Sequence, residues 1–281
     1  MKGSPDYSKE IKINVPWGHI AAKAWGDEKD KIILVFHGIL DNAGVIRSPD
    51  TPLTKNRFTI YVSTYLVMGT IHSYRPQLWW PNRFLFSLLY PHFVEKLIML
   101  DTITLYPVTT DYYKPYLSEK FDWHYNMEKK FAASQEPTYT LKEDTKRKTY
   151  STLTKEAAIT LAKRSIAAAE DGKYRLTIDQ RLKNFINPLS DFRYIIEVIK
   201  MNRVTIPILM VLGSDSSIQQ QYLQPILRVF REWNNVTIEI IPDGNHDVHN
   251  ELPERVAPCV SKFLLNKKGS IPHQLMAQPV S

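Results

Sequence analysis

Apolar positions alternate with polar ones around Pro16 and Gly18, first in Ile11-Lys12-Ile13-Asn14-Val15 and then in His19 to Trp25. This predicts two short antiparallel strands joined by a turn, a β-hairpin. The next apolar run, Ile32-Ile33-Leu34-Val35-Phe36, does not alternate. A strand covered on both faces is therefore expected, as in a parallel sheet flanked by helices. Further strands are predicted at Phe58 to Val62, Lys96 to Leu100, Ile206 to Leu212 and Val236 to Ile241. Core-type strands separated by helical lengths predict an open, mostly parallel α/β sheet, in which the strands ending at Phe36, Leu100, Leu212 and Ile241 run parallel side by side.

Between the strand ending at Leu100 and the one starting at Ile206, the chain has little strand character and much helical patterning. Thr154 to Ala169 reads as a helix, with Asp171-Gly172 ending it. A second helix is expected from Pro188 or Ser190 to Lys200, with Phe192, Ile195, Ile196 and Ile199 on one face. The expected organisation is a core of residues 1–105 and 204–266, a mainly helical cap of 106–203 over the carboxyl ends of the strands, and a disordered tail of 267–281.

The composition agrees with a folded interior: 43% of the 281 residues are hydrophobic and 11% aromatic, outside the disordered regime. No apolar run approaches the length of a membrane span, and Met1 to Glu10 lacks the apolar centre of a signal peptide. A soluble cytoplasmic protein is expected, with a peroxisomal location as the alternative although no C-terminal peroxisomal signal is seen. The net charge of +7 is spread over both halves among Asp and Glu. The basic run Lys146 to Lys148 follows Glu143 and Asp144, so it reads as a solvated face and no nucleic-acid partner is expected. The single cysteine, Cys259, has no metal-ligand spacing around it and reads as core packing. No metal or cofactor is expected.

Candidate chemistry concentrates near the C-terminus. His246, in Gly244-Asn245-His246-Asp247, follows a predicted strand and precedes an amphipathic helix, an exposed yet rigidly held position suited to a general base. Asp215, in Leu212-Gly213-Ser214-Asp215-Ser216, ends the neighbouring strand, and two groups at the carboxyl ends of adjacent strands can meet over the sheet. Taken singly, His246 is a surface histidine and Asp215 a turn or capping residue. Taken together, in the chain order acid then histidine, they suit a catalytic pair. After the first buried strand, His37-Gly38-Ile39 forms a Gly-containing turn whose amides could face an acyl oxygen. The plainer reading of that turn is an ordinary strand-to-helix loop.

These segments, with Trp17 to Gly26, His37 to Ala43, Asp179-Gln180-Arg181-Leu182 and Gly244-Asn245-His246, resemble the serine-hydrolase-like branch of the α/β-hydrolase superfamily, in an animal such as an insect. The resemblance runs to about Asn266. It implies an α/β-hydrolase core with a helical cap inserted between two strands. It also implies His246 as catalytic histidine, Asp215 as its acid, and the amide of Ile39, where the family usually has Trp, as one oxyanion donor.

The superfamily carries its nucleophile in G-x-S-x-G on a sharp strand-to-helix turn, and this chain has no such pattern. The stretch where it belongs reads Trp79-Trp80-Pro81-Asn82-Arg83-Phe84-Leu85-Phe86-Ser87, and a block of about a dozen residues is missing. That block would include a central strand and its crossover helix. If Phe84 to Ser87 served as the strand, about eight residues, Leu88 to Glu95, would remain before the next, too few for a helical crossover. The segment is then a helix leading into a sheet with one strand fewer, or part of a chain that folds poorly. Ser73 and Ser87 are the nearest substitute nucleophiles, and neither has the small neighbours of such a turn. The expected function is therefore serine-hydrolase-like: hydrolysis of an ester or similar small acyl substrate, inactive or impaired in this chain. The alternative is a non-catalytic member that binds a small apolar ligand or a partner protein.

Overall fold

The computed structural model describes residues 9–15, 18–27, 29–36, 38, 42, 58–63, 82–103, 107–133, 138–140, 153–154, 158–159, 161–162, 165–177, 191–216 and 223–266. The elements in chain order are β1 (Lys9–Val15), β2 (Gly18–Trp25), β3 (Lys31–Phe36), β4 (Phe58–Ser63), α1 (Asn82–Leu89) and β5 (Leu97–Leu100). Then come α2 (Tyr113–Ala132), β6 (Thr138–Tyr139), β7 (Ile166–Ala168), β8 (Tyr174–Leu176) and α3 (Phe192–Met201). The last are β9 (Ile208–Gly213), α4 (Gln224–Arg231), β10 (Val236–Ile241), α5 (Val248–Glu251) and α6 (Pro253–Leu265).

Two compact units emerge, the first of Met1–Asn82, Leu105–Phe192 and His249–Glu251, the second of Arg83–Thr104, Arg193–Val248 and Leu252–Ser281. The core-and-cap division expected from the sequence groups these residues differently, joining 1–105 to 204–266. Among the described residues, the strands ending at Phe36, Leu100, Leu212 and Ile241, expected in a single parallel sheet, fall in two sheets. β3 lies in a sheet of order β1-β2-β4-β3, whereas β5, β9 and β10 form another, of order β10-β9-β5.

In the first unit, β1 and β2 pair antiparallel as the alternation predicts, β4 pairs antiparallel with β2, and β3 runs parallel to β4. Ala22, Ala24 and Trp25 are buried, and Lys23 Nζ sits 4.8 Å from the centre of the Trp25 ring. β3 departs from expectation, because Ile32, Leu34 and Phe36 are 62%, 59% and 44% exposed. Its unbroken apolar run suits a strand covered on both faces, but among the described residues β3 is the edge of its sheet.

Residues 106–203 include the 20-residue helix α2, which buries Tyr116 and Met127. The expected helix from Thr154 to Ala169 stops early: described residues from 158 to 165 are helical, and Ile166–Ala168 is a strand. Asp171-Gly172 turns a hairpin rather than ending that helix. Gly172 adopts φ 68°, a left-handed conformation open to glycine at little cost, and the Ala169 amide donates to Lys173 O at 2.9 Å. β8 then pairs antiparallel with both β6 and β7, so a three-stranded sheet accompanies the helices expected there. Within the same unit Asn42 is buried, and its Nδ2 donates to Leu161 O at 3.1 Å and to Ser165 Oγ at 2.9 Å. The Thr154 amide donates to Glu251 Oε1 at 2.6 Å.

The second unit is built on β9, the middle strand of a three-stranded parallel sheet, all six of whose residues are buried. One cluster gathers Leu209, Val211, Ile241, Val248 and Val256, with Leu252, Val260, Phe263 and Cys259 against it. Cys259 is thus core packing, though only partly buried. α4 buries Ile226, Leu227, Val229 and Phe230, and Phe84 of α1 meets Phe230 edge-on at 5.8 Å. Asn82–Leu89 is therefore a helix leading into β5, one of the two outcomes the missing block left open. α3 buries Ile195 and Ile199 of the face expected for it.

Lys96 fastens the end of α6. Its ammonium donates to the carbonyls of Phe263, Leu264 and Asn266 at 2.8, 3.0 and 2.9 Å, answering the acceptors that a helix leaves without amide partners at its C-terminus. Replacing Lys96 with Met is expected to lower stability by about 1–2 kcal/mol, after allowance for partial exposure. Urea denaturation checks this, as a lower midpoint with an unchanged slope.

Candidate active site

The carboxyl ends of β5, β9 and β10 position the candidate groups of the second unit. β5 ends in Asp101, a residue with φ 44° that tolerates the left-handed region better than most. Its amide continues the ladder by donating to Val211 O at 2.7 Å. The side chain is wholly buried. Oδ1 accepts from the Gly213 amide at 2.8 Å, and Oδ2 accepts from the Ser216 hydroxyl. Oδ2 also lies 2.8 Å from His246 Nδ1. A buried carboxylate needs partners for its oxygens, and these groups provide them.

His246 sits in the turn between β10 and α5, and its side chain is 51% exposed. The turn is shaped by close backbone approach. A Cβ added to Gly213 would lie 2.2 Å from Gly244 O and 2.6 Å from Asn245 O, and one added to Gly244 would lie 2.8 Å from Val248 Cγ2. Glycine at both positions lets the turn seat on the end of β9. Asp243, at φ 57°, and the Asn245 Oδ1 acceptor for the Asp247 amide, at 2.7 Å, complete it.

His246 thus occupies the position its motif suggests, but Asp215 does not meet it. The carboxylate bonded to the ring is Asp101. Asp215 Oδ1 accepts from Ser214 Oγ at 2.9 Å, its amide donates to Gly244 O at 2.8 Å, and Ser214 Oγ in turn accepts from the Asp243 amide at 2.9 Å. Asp215 is therefore part of the fastening between the two turns. The reason is topological. In the order β10-β9-β5 the strand adjacent to β10 ends in the glycine on which the His246 turn rests, so the ring passes over that end and meets the side chain of the strand beyond. Asp101 carried a usable signal, a lone acidic residue closing the apolar run Leu97-Ile98-Met99-Leu100.

Of the turn expected to bind an oxyanion, Gly38 is described and half-buried, directly after β3, while His37 and Ile39 lie outside the described residues. Ser73, the Asp179 to Leu182 segment and the tail from 267 also lie outside them. Ser87 is 2% exposed within α1, in a helix rather than on a strand-to-helix turn. Among the described residues no group of three or more His, Cys, Asp or Glu is arranged to hold a metal ion, and no helix is long and apolar enough to cross a membrane.

Parallel strands flanked by helices, with a histidine turn after the last strand facing a buried carboxylate, define an α/β-hydrolase-fold protein. The chain is similar to proteins named serine hydrolase-like. It is 29% identical over 307 residues to serine hydrolase-like protein 2 of Homo sapiens, covering 93% of this chain and 95% of that one. A serine hydrolase-like protein of Danio rerio is 23% identical over 298 residues, covering 92% and 88%. Among solved structures, a hypothetical protein of Pseudomonas aeruginosa PAO1 matches with TM-score 0.71 at 16% identity, covering 92% of this chain and 99% of that one. The thioesterase domain of the curacin biosynthetic pathway matches with TM-score 0.66 at 15% identity, covering 91% and 100%. An α/β-hydrolase-fold protein of Chitinophaga pinensis matches with TM-score 0.54 at 12% identity, covering 93% and 100%. No family model matches the chain.

Proposed function

We propose that this chain retains the proton-handling half of a serine-hydrolase site whose reaction is hydrolysis of an ester or similar small acyl substrate in the cytoplasm, and that it is inactive or severely impaired. The observation that carries this reading is the 2.8 Å contact between His246 Nδ1 and the buried Asp101. An ionised carboxylate can only accept, so Nδ1 carries the proton and proton exchange falls to Nε2. In a complete site Nε2 would take the proton of a serine hydroxyl and return it to the leaving group. The turn His37-Gly38-Ile39 would offer amides to the acyl oxygen, in the division of a core of 1–105 and 204–266 from a cap of 106–203. The serine is what this chain lacks: G-x-S-x-G is absent, and Ser87 is buried within a helix.

A fluorophosphonate probe is expected to leave the protein unlabelled, and hydrolysis of a p-nitrophenyl ester is expected to match that of His246→Ala. Stoichiometric labelling mapped to one serine, with activity lost when that serine becomes Ala, would overturn the inactive reading.

A further inference from the structure

We propose that Phe86, Leu89, Tyr90 and Phe93 form the centre of an interface through which two copies of this chain associate. These residues lead into the amino end of β5, whereas the candidate site lies at the carboxyl ends of the strands. The proposal therefore does not depend on the reading of the site.

α1 is apolar on both of its sides. Phe84 meets Phe230 edge-on at 5.8 Å and Ser87 is buried, so one side is packed into the second unit. The other carries Phe86, Leu89 and Tyr90, which are 46%, 66% and 45% exposed, and Phe93, just beyond the helix, is 73% exposed. A helix that is apolar all round belongs in an interior, and a contiguous exposed apolar patch marks a surface of interaction. The four residues make one such patch. Spacings of three and four bring Phe86, Leu89 and Tyr90 to one face, the Tyr90 ring lies 5.2 Å from that of Phe86 and 6.4 Å from that of Phe93, and His92 stacks on Phe93 at 4.3 Å. The backbone beneath is fixed. The amides of Tyr90, Phe93 and Val94 donate to the carbonyls of Phe86, Tyr90 and Pro91 at 2.8, 3.0 and 3.2 Å, and a surface already held in shape loses little freedom on binding.

Charge and area select the occupant. No Asp, Glu, Lys or Arg occurs from Phe84 to Val94. Loss of charge with a gain in aromatic residues is the composition of interface cores, and homodimer interfaces are the more apolar ones. An anionic lipid surface or an acidic protein would call for cations in the patch, whereas an uncharged patch meets its own copy without repulsion there. Weighted by their exposure, the four side chains offer roughly 400 Å² on one copy, and two copies offer roughly 800 Å². At the roughly 65% apolar share of homodimer interfaces, this corresponds to a total of roughly 1,200 Å², the lower end for a specific assembly. In a twofold arrangement the patch meets itself, with aromatic edges against faces. Dissociation in the micromolar range is expected for an interface of this size.

The experiment is sedimentation equilibrium of the full chain between about 1 and about 100 µM, where the mass should rise from that of one copy towards that of two. Leu89→Asp and Phe93→Asp should each raise the dissociation constant at least about tenfold, with an unchanged circular dichroism spectrum. Met201→Asp, at an apolar position of the same unit that is 81% exposed, should leave association as it was. Hydrogen exchange of the unsubstituted chain gives a second reading that needs no variant to fold: the amides of Leu89 to Val94 should exchange more slowly at the upper concentration. A chain that stays monomeric, a dimer that both patch variants leave intact, or exchange there that ignores concentration would each overturn the proposal. So would a monomer that binds phosphatidylcholine vesicles through Phe93, or one that dimerises only after removal of residues 267–281, because each assigns the patch a different occupant.

Discussion

Inserting a G-x-S-x-G strand, turn and helix immediately ahead of Asn82 is expected to change the chain from one that takes no fluorophosphonate to one labelled once, at the inserted serine. Ester hydrolysis should rise by at least about a thousandfold. Asn82–Leu89 is already helical and leads into β5, so the insertion belongs before this helix rather than within it. β5 is the edge of its parallel sheet, and a strand added beside it would present its serine at the end from which Asp101 meets His246. The large effect follows from how the parts of such a site work. A positioned base accelerates acyl transfer only when something beside it can attack, so restoring the nucleophile restores the contribution of groups that are silent without it. His246→Ala in the restored chain should abolish the gain. A folded insertion variant that stays unlabelled would show that His246 and Asp101 are not arranged around a serine position.

The second large effect is expected from Gly213→Ala. The added methyl would meet backbone atoms, Gly244 O at 2.2 Å and Asn245 O at 2.6 Å, and backbone cannot swing aside as the end of a flexible side chain can. The turn carrying His246 must lift off β9 or β9 must shift within a fully buried sheet. Either movement costs about 1–3 kcal/mol. Lifting the turn would also break the contact of the Gly244 carbonyl with the Asp215 amide and draw the His246 ring from Asp101. The measurement is thermal melting, and a lower Tm is expected. An unchanged Tm would show that the turn does not need to sit on Gly213.

Much of this protein could be read along the chain, and much could not, for a consistent physical reason. The β1–β2 hairpin, the strands β5 and β10 and the apolar face of α3 were legible because side-chain periodicity is a local property. The position of His246 after a strand was legible on the same ground. The absent nucleophile turn is a covalent fact, and no fold can supply residues the chain lacks.

The remaining features depended on distant parts of the molecule. The unbroken apolar run could not say that β3 would expose Ile32 and Leu34, because the cover of a strand comes from its neighbours. A helix pattern running to Ala169 could not foresee that Ile166–Ala168 would pair with β8, because the hairpin turn at Gly172 offered those residues a ladder that a continued helix did not. The acid beside His246 was decided in the same way. Asp215 stands closer in sequence and on the adjacent strand, but the close approach of Gly213 and Gly244 carries the ring past it, to a carboxylate 145 residues away. Sequence alone determined which groups were present and the elements that bear them, while tertiary structure chose which pair would touch, because a hydrogen bond of about 2.8 Å is set by how two backbones pack rather than by the order of residues along either.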